Sequence, residues 1–493
     1  MKKQNLHLLA TVSLSIFLFI FLHIFYTGVV TTPTELDSVM YHIPIAKSYL
    51  NGRIFSSPSS PLMHRYFPGA SEGILAFFML LHIPLNLYNV LGILCLFLAC
   101  FALGKRAGLG TDLSLLFATS FSSLNGIVRW ANVQVVDIWM GVFYACLIFM
   151  FLKPEKKPGY FFKLGIVTGM IVGTKYSGPL FLSVLLLFYG KKLIEKLDIK
   201  RLIWFLIPFC ICGLFWYIRN YLVKGNPVYP IALFSWPGVE NWALETPVWK
   251  GAISYPLSML SALISEYTGW GVLVILSPIL VLYMRGISLI FITIALFNLM
   301  VYSLLPNGDA YLVHVSNLRY SYPVFILFIL AVFEFAKQKK KEEILAVFAI
   351  GNMLFSLQFP YHPKLLFLYI PLLIMIWLFA KQNYIWVYNN KYYKFIYHMK
   401  NKLEKGGSSV IVLLLMIIAV VVVGAMILMK KGPEKKEGGL FVSGTVKQQD
   451  QNAASSTEST ADQETDSEIS TLEQDLDEID KSLNDAPIDV MAE

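Results

Sequence analysis

The sequence predicts an all-α polytopic membrane protein, and three observations carry that prediction. Of its 493 residues, 56% are hydrophobic and only 15% charged, with a mean hydropathy of +0.61; soluble domains sit near half apolar and about a quarter charged. Apolar runs of the ~20 residues that cross a bilayer recur through the first 430 positions. Basic residues cluster in alternate connections between those runs, the pattern of cytoplasmic loops.

The first element, MKKQNLHLLATVSLSIFLFIFLHIFYTG, has basic residues followed by about 20 apolar ones and no small-residue cleavage site. It reads as a retained signal-anchor helix. The hydrophobic runs predict about thirteen spans, with cores at 6–26, 86–104, 112–125, 133–152, 160–174, 176–190, 202–219, 271–284, 287–304, 320–336, 342–358, 363–380 and 408–429. The run 70–83 is short and closed by Pro84, so it reads as an interfacial or partly inserted helix. With Lys2 and Lys3 in the cytoplasm, alternation gives the cytoplasmic loops Lys105/Arg106, Lys153/Lys156/Lys157, Lys191 to Arg201, Arg285, Lys337 to Lys341 and Lys381 to Lys405.

The formal charge of +8 hides an asymmetry. Residues 430–493 hold 16 acidic residues against 6 Lys, or −10, and the preceding 429 hold 34 basic against 16 acidic, or +18. The loops account for most of the +18, so the excess calls for no nucleic-acid partner. The chain divides into a membrane domain, 1–429, and an acidic tail, 430–493, polar and free of aromatics over 448–489 and expected to be disordered. The five cysteines, Cys95, Cys100, Cys146, Cys210 and Cys212, all sit in apolar runs and read as packing residues.

The outer side receives two long loops, 27–85 and 220–270, and a short one, 305–319, rich in aromatics, Pro and Gly. Residues 234–250, FSWPGVENWALETPVWK, contain three Trp, suited to a half-wet interface. Long ordered loops are usually functional. In TPTELDSVMYHIPIAKSYLNGR (32–53), Thr34-Glu-Leu-Asp37 fits a capping box with Thr34 as N-cap. Leu36, Met40, Ile43 and Leu50 then share one face of an amphipathic helix, and Asp37, Tyr41, Pro44 and Ser48 another, with Pro44 expected to kink or end it. On spacing alone, Asp37 is either a helix cap or a reactive acid, and His42 either faces water or belongs to a site.

Other segments bring polar residues to the same side. HRYFPGASEG (64–73) supplies His64, Arg65 and Glu72; VRWANVQVVDIWMG supplies Gln134 and Asp137; GTKYSG supplies Lys175 and Tyr176. WYIRNYLVKGNPVYP supplies Arg219, Asn220, Asn226 and Tyr229, and HVSNLRYSYP supplies His314, Arg319 and Tyr320. An Arg or Lys at a helix end snorkels by default. Asp137 lies among apolar residues, where an acid is a functional hypothesis; its structural alternative is a buried pair with Arg129 or Lys175. Together these residues suit group transfer from a lipid-linked phosphate: a carboxylate as general base, and Arg and Lys to hold the phosphate.

The pattern Asp37-Ser-x-x-Tyr41-His42-x-Pro44, then Asn51-Gly52, resembles the first outer loop of the GT-C superfamily of membrane glycosyltransferases, in the branch of protein mannosyltransferases and the lipid A aminoarabinose transferase. FPGASE (67–72), Gln134-x-x-Asp137, Gly173-Thr-Lys175-Tyr176, Arg219-Asn220, Gly225-Asn226-Pro227-Val228-Tyr229-Pro230 and Arg319-Tyr320 resemble its later landmarks, in order, over residues 6 to about 380. The resemblance implies the GT-C fold and a polyprenyl-phosphate-linked sugar donor at the outer face of the cell membrane. It also implies an inverting transfer to a glycan, lipid or protein acceptor, with Asp37 as catalytic base. Many relatives have Glu directly after that Asp; here Ser38 follows, leaving Glu35 or Asp137 as a second acid. Candidate donor and substrate contacts are Tyr41, His42, His64, Arg65, Gln134, Lys175, Tyr176, Arg219, Asn220, Tyr229, Arg319 and Tyr320. Some relatives use a divalent metal, Mg or Mn; the sequence has no clear metal cluster. Two competing readings are an O-antigen ligase-like or polymerase-like enzyme, expected to have one very large late outer loop, and a lipid or solute transporter, expected to have internal repeats.

Overall fold

A computed structural model describes residues 2–54, 63–233, 235–239, 247–305 and 315–356, all within one compact unit spanning 1–425. The expected spans 363–380 and 408–429, the basic run Lys381 to Lys405, His314 and the tail 430–493 lie outside the described residues. The described part is helical, with isolated β-bridges of Ile231 with Val239 and Leu233 with Trp236. Among the described residues, four helices are long and apolar enough to cross a membrane: Gln4–Val30, Leu85–Ala107, Ile199–Lys224 and Asn317–Gln338. The chain is a helical membrane protein.

Helix α1 (Lys2–Val30) has no Pro and a buried stripe at Ala10, Ser13, Phe17, Phe21 and Ile24, while Leu22 and Tyr26 on its other side are exposed. A π-turn (Ser38–His42) runs into α2 (Ile43–Leu50), and α3 (Glu72–Leu80) completes the first loop. Then follow α4 (Tyr88–Ala107), α5 (Thr111–Ser122), the single turn α6 (Asn125–Val128), α7 (Asp137–Leu152), α8 (Pro158–Thr174) and α9 (Gly178–Ile194). A long kinked helix comprises α10 (Ile199–Phe209), a π-turn (Cys210–Leu214) and α11 (Phe215–Lys224). Pro208 lies just before that π-turn, a recognised cause of a kink. Next come α12 (Val248–Ser254), α13 (Pro256–Tyr267), α14 (Gly269–Ile275), α15 (Ser277–Val281) and α16 (Ile287–Ser303). A 3₁₀ segment (Val315–Ser321) leads into α17 (Tyr322–Gln338), and α18 (Glu342–Ser356) ends the described fold.

Burial separates centre from rim. The most apolar stretch of Asn317–Gln338 is 83% buried, whereas that of Ile199–Lys224 is 17% buried. Helix α17, apolar all round, is therefore the axis of the core, and α10–α11 is a peripheral wall.

That wall is held by close backbone approach. Gly165, Gly169 and Gly173 recur every fourth residue on α8, giving one small-residue ridge. A Cβ on Gly165 would strike the Phe205 carbonyl, one on Gly169 would lie 2.9 Å from Cys212 Cβ, and one on Gly173 would strike the Cys212 carbonyl. Cys212 is a free thiol at this contact, as all five cysteines are free.

The basic clusters collect at one end of the bundle. Lys337 donates to the Gly108 carbonyl at 2.7 Å, Arg106 to that of Lys153 at 2.8 Å, and Lys196 to that of Pro154. His7 meets Asp112 at 3.0 Å in the same region. Helices α7 and α17 run between this end and the opposite one, where Asp137 and Tyr322 begin them.

Two local expectations are corrected, and the orientation of the first-loop helix is fixed. The run 271–284 is not one helix: α14 and α15 part at Leu276, because Pro278 cannot donate into the preceding turn. The first-loop helix turns its leucine face outwards, as expected of an amphipathic surface helix. Leu36 and Leu50 are exposed, and Ser38, His42, Ile45 and Ala46 are buried, since polar partners wait inside. Pro44 does not end it. The π-turn bonds Ile43 N–H to the Ser38 carbonyl just before it, and the Met40 carbonyl, which a residue-44 N–H would normally reach, accepts instead from Arg65 Nε at 3.4 Å.

Gly173→Ala is expected to destabilise the protein by about 1–3 kcal/mol, the usual cost of overpacking, because the atom it meets is backbone. Gly159, where an added Cβ would have nothing within 4 Å, should accept Ala at little cost. Thermal unfolding of the two detergent-purified variants would check the contrast.

Candidate functional site

Four charges form a chain at the helix ends. Arg319, in the 3₁₀ segment before α17, reaches Asp37 Oδ2 through Nη2 at 2.7 Å and Asp137 Oδ2 through Nε at 3.0 Å. Asp137 Oδ1 accepts from Lys175 Nζ at 2.7 Å. The side chains of Asp137 and Arg319 are 4% and 6% exposed, those of Asp37 and Lys175 34% and 26%. The middle of the chain is thus buried and its ends are reachable. Its charges sum to zero, which is what makes burial tolerable.

Each member is placed by local structure. Asp137 opens α7, where the helix N-terminus favours an anion. Lys175 sits in the extended break between α8 and α9, with φ −159° and ψ 147°. Its ammonium lies 3.3 Å from the Tyr320 ring centroid, and the Arg319 guanidinium lies 4.5 Å from that of Trp130. Asp37 makes no capping bond. The cap is Glu35, not Thr34: its Oε2 accepts from Ser38 N and Ser38 Oγ, both at 2.8 Å. Ser38 Oγ in turn accepts from Gln134 N at 3.0 Å. Glu35 is therefore engaged in capping, which leaves Asp37 for Arg319.

Beside the chain stands a buried pair, His42 Nδ1 and Glu72 Oε1 at 2.8 Å. Tyr41 lies 4.1 Å from the His42 ring and stacks on His64 at 5.3 Å. Burial and the charge of Asp37 push the Tyr41 hydroxyl well above its ordinary range, so it stays a donor. Burial pulls His64 down, and Asp37 opposes that shift.

The remaining expected residues brace the first loop. Arg219 Nη2 donates to the Tyr66 carbonyl at 2.9 Å and to Asn220 Oδ1 at 2.7 Å. Asn220 Nδ2 donates to the same Tyr66 carbonyl and to Tyr176 Oη, both at 2.8 Å, and Tyr176 donates to the Tyr229 carbonyl at 2.6 Å. Ala70 N bonds the Gly173 carbonyl at 2.8 Å, tying the loop to the turn that carries Lys175. Gln134 is buried, with Nε2 on the Leu85 carbonyl at 3.0 Å and Asn86 Oδ1 at 2.9 Å. Arg65 serves the Met40 carbonyl beside Pro44.

The structure thus brings together Asp37, Asp137, Lys175, Arg319 and Tyr320, with Tyr41, His42 and His64 alongside. Asp137 takes Lys175 and Arg319 as partners, while Arg129 pairs with Glu266 at 2.8 Å. Sequence reasoning assigned no role to Trp130, although it lies in the same VRWANVQVVD stretch as Asp137. It quoted Glu72 without its partner, since a contact across 30 residues leaves no local mark. Among the described residues no three His, Cys, Asp or Glu side chains converge to hold a metal. Asp37 and Asp137 are bridged by Arg319, so this donor set does not fit a divalent ion.

Asp137→Asn would leave two cations with one acid between them. A loss of about 3–5 kcal/mol is expected, typical of breaking a buried pair, and Lys175→Met on that background should recover part of it. A double-mutant cycle of unfolding free energies would read the coupling. A search against models of known protein families finds no match, and neither does a search of curated proteins.

Proposed function

We propose that the chain is a GT-C-type membrane glycosyltransferase with its site at the outer face of the cell membrane and about thirteen spans. It moves a sugar from a polyprenyl-phosphate donor to an acceptor hydroxyl with inversion. The observation that carries this reading is the Asp37–Arg319–Asp137–Lys175 chain, an accessible acid joined through buried charges to an accessible cation. The ordered motifs resembling that superfamily support it as well.

In this reading Asp37 takes the acceptor hydroxyl proton as the acceptor oxygen bonds to the anomeric carbon. The bond from that carbon to the phosphate oxygen breaks, and the lipid phosphate leaves with the electron pair as a dianion. Arg319 and Lys175 stabilise the charge that develops on it. Protonation of Asp37 removes one negative charge from Arg319 as the phosphate gains one, so the site's net charge is conserved.

Asp37→Asn should lower transfer by about 10²–10⁴-fold, the usual worth of a general base, while the protein still inserts and folds. Membranes holding wild-type or variant protein would be incubated with a panel of polyprenyl-phosphate sugars and host lipids, and mass spectrometry would follow donor loss and glycan gain. Turnover by the variant within a few-fold of wild type would remove Asp37 as base.

A further inference from the structure

We infer that Arg129 and Glu266 are positioning residues that clamp Arg319 from two sides, an inference that rests on the proposed phosphate-binding role of Arg319. Glu266 is 1% exposed near the end of α13, and its Oε1 lies 2.8 Å from Arg129 Nη1. The next residue after each partner grips the Arg319 segment. After Arg129 comes Trp130, whose ring lies 4.5 Å from the Arg319 guanidinium. After Glu266 comes Tyr267, which donates to the Leu318 carbonyl at 2.7 Å and shares a 2.9 Å bond with Ser321 Oγ. Its ring also stacks on Phe325 at 3.6 Å. One dipeptide therefore backs the Arg319 side chain and the other holds its backbone, and the ion pair fixes the two together.

The surroundings reinforce that joint. Asn125 Nδ2 donates to the Ser265 carbonyl at 2.8 Å, and Tyr322 donates to that of Gly126. Gly126 is small for a reason, since a Cβ there would stand 2.9 Å from Glu266 Oε2. On its far side α13 is pinned by Asn352 Oδ1, which accepts from Thr268 Oγ1 at 2.5 Å and Gly269 N at 2.6 Å.

The joint depends on charge. Neither Glu266 carboxyl oxygen has a hydrogen-bond partner, Oε1 making only the ion-pair contact to Arg129, and burial pushes the carboxyl up to about 7 while Arg129 draws it down. The other titratable groups facing Glu266 are Tyr267 beside it and Tyr322 from α17, with Asp137 and Arg319 beyond Tyr322. Above about pH 7 the pair is charged, and below it Glu266 is neutral and the joint loosens.

The test measures binding of farnesyl phosphate, a short prenyl monophosphate, to the detergent-purified full chain. At pH 8, Arg319→Ala should weaken binding more than tenfold, and Glu266→Gln and Arg129→Gln each about fivefold to tenfold, with the double variant no weaker than the worse single one. Arg129→Lys keeps the charge and should stay within about twofold, and thermal unfolding confirms that each variant is folded. The ratio of the Gln-variant Kd to the wild-type Kd should shrink towards one at pH 6; titration of the probe itself cancels in that ratio. If Arg319→Ala weakens binding but both Gln variants bind within twofold of wild type, the clamp is overturned and the function stands. A ratio that does not change with pH would likewise overturn it. If Arg319→Ala binds like wild type, the phosphate site falls, and the clamp with it.

Discussion

A guanidinium buried just before the start of α17 sets the terms for everything around it. Arg319 is 6% exposed, and an ionised group there is tolerated only when paired and hydrogen-bonded. It is ion-paired to two carboxylates rather than one, and hydrogen-bonded to Asp37. The consequence is structural: Asp37 and Asp137 belong to elements a hundred residues apart in sequence, and both must end at the same point as the 3₁₀ segment before α17. The helix starts, the break at Lys175 and the folded first loop all serve that convergence.

The scaffold achieves it by interrupting helices where regular ones would carry side chains past the site. The π-turn at Ser38–His42 shifts the hydrogen-bond register just before Pro44. The α8–α9 break leaves Lys175 extended between two helices. The glycine ridge of α8 lets α10–α11 approach to backbone contact, which puts Arg219 and Asn220 under the Tyr66 carbonyl and steadies the loop. Rigidity in α17 and irregularity around its start are complementary, because a packed axis lets local departures remain local.

Much of this was legible in the sequence. Apolar runs located most of the described helices, since each needs only local composition, but not α12 and α13 in the second outer loop or the break within 271–284; the polar ends of the runs named most of the residues that gather at the site. What local composition could not supply was pairing. Asp137 had two candidate cations, Arg129 and Lys175, and Arg129 went to Glu266, which no periodicity singles out. Thr34 fitted a capping box, yet Glu35 caps, because Ser38 offers it both an N–H and a hydroxyl. The leucine face of the first-loop helix pointed outwards because buried partners for Ser38 and His42 lay 30 to 100 residues away. Side-chain pairing across such distances is a property of the fold, while helix formation is largely a property of the segment.

Electroneutrality constrains what such a site can accept. An incoming phosphate adds negative charge to a chain that already sums to zero, so a cation must change partner to receive it. Asp137 has two cations, and losing its 2.7 Å contact with Lys175 still leaves Arg319 at 3.0 Å. Lys175 can therefore turn to a phosphate without stranding a buried acid. Asp37 is likewise held by a single contact to Arg319 and is the more exposed of the two acids. The ends of the chain are the members able to exchange partners, and its centre is the pair that cannot separate cheaply. This ordering of mobile ends about a fixed centre is what the proposed transfer, which would move one proton and one phosphate charge within the same site, requires.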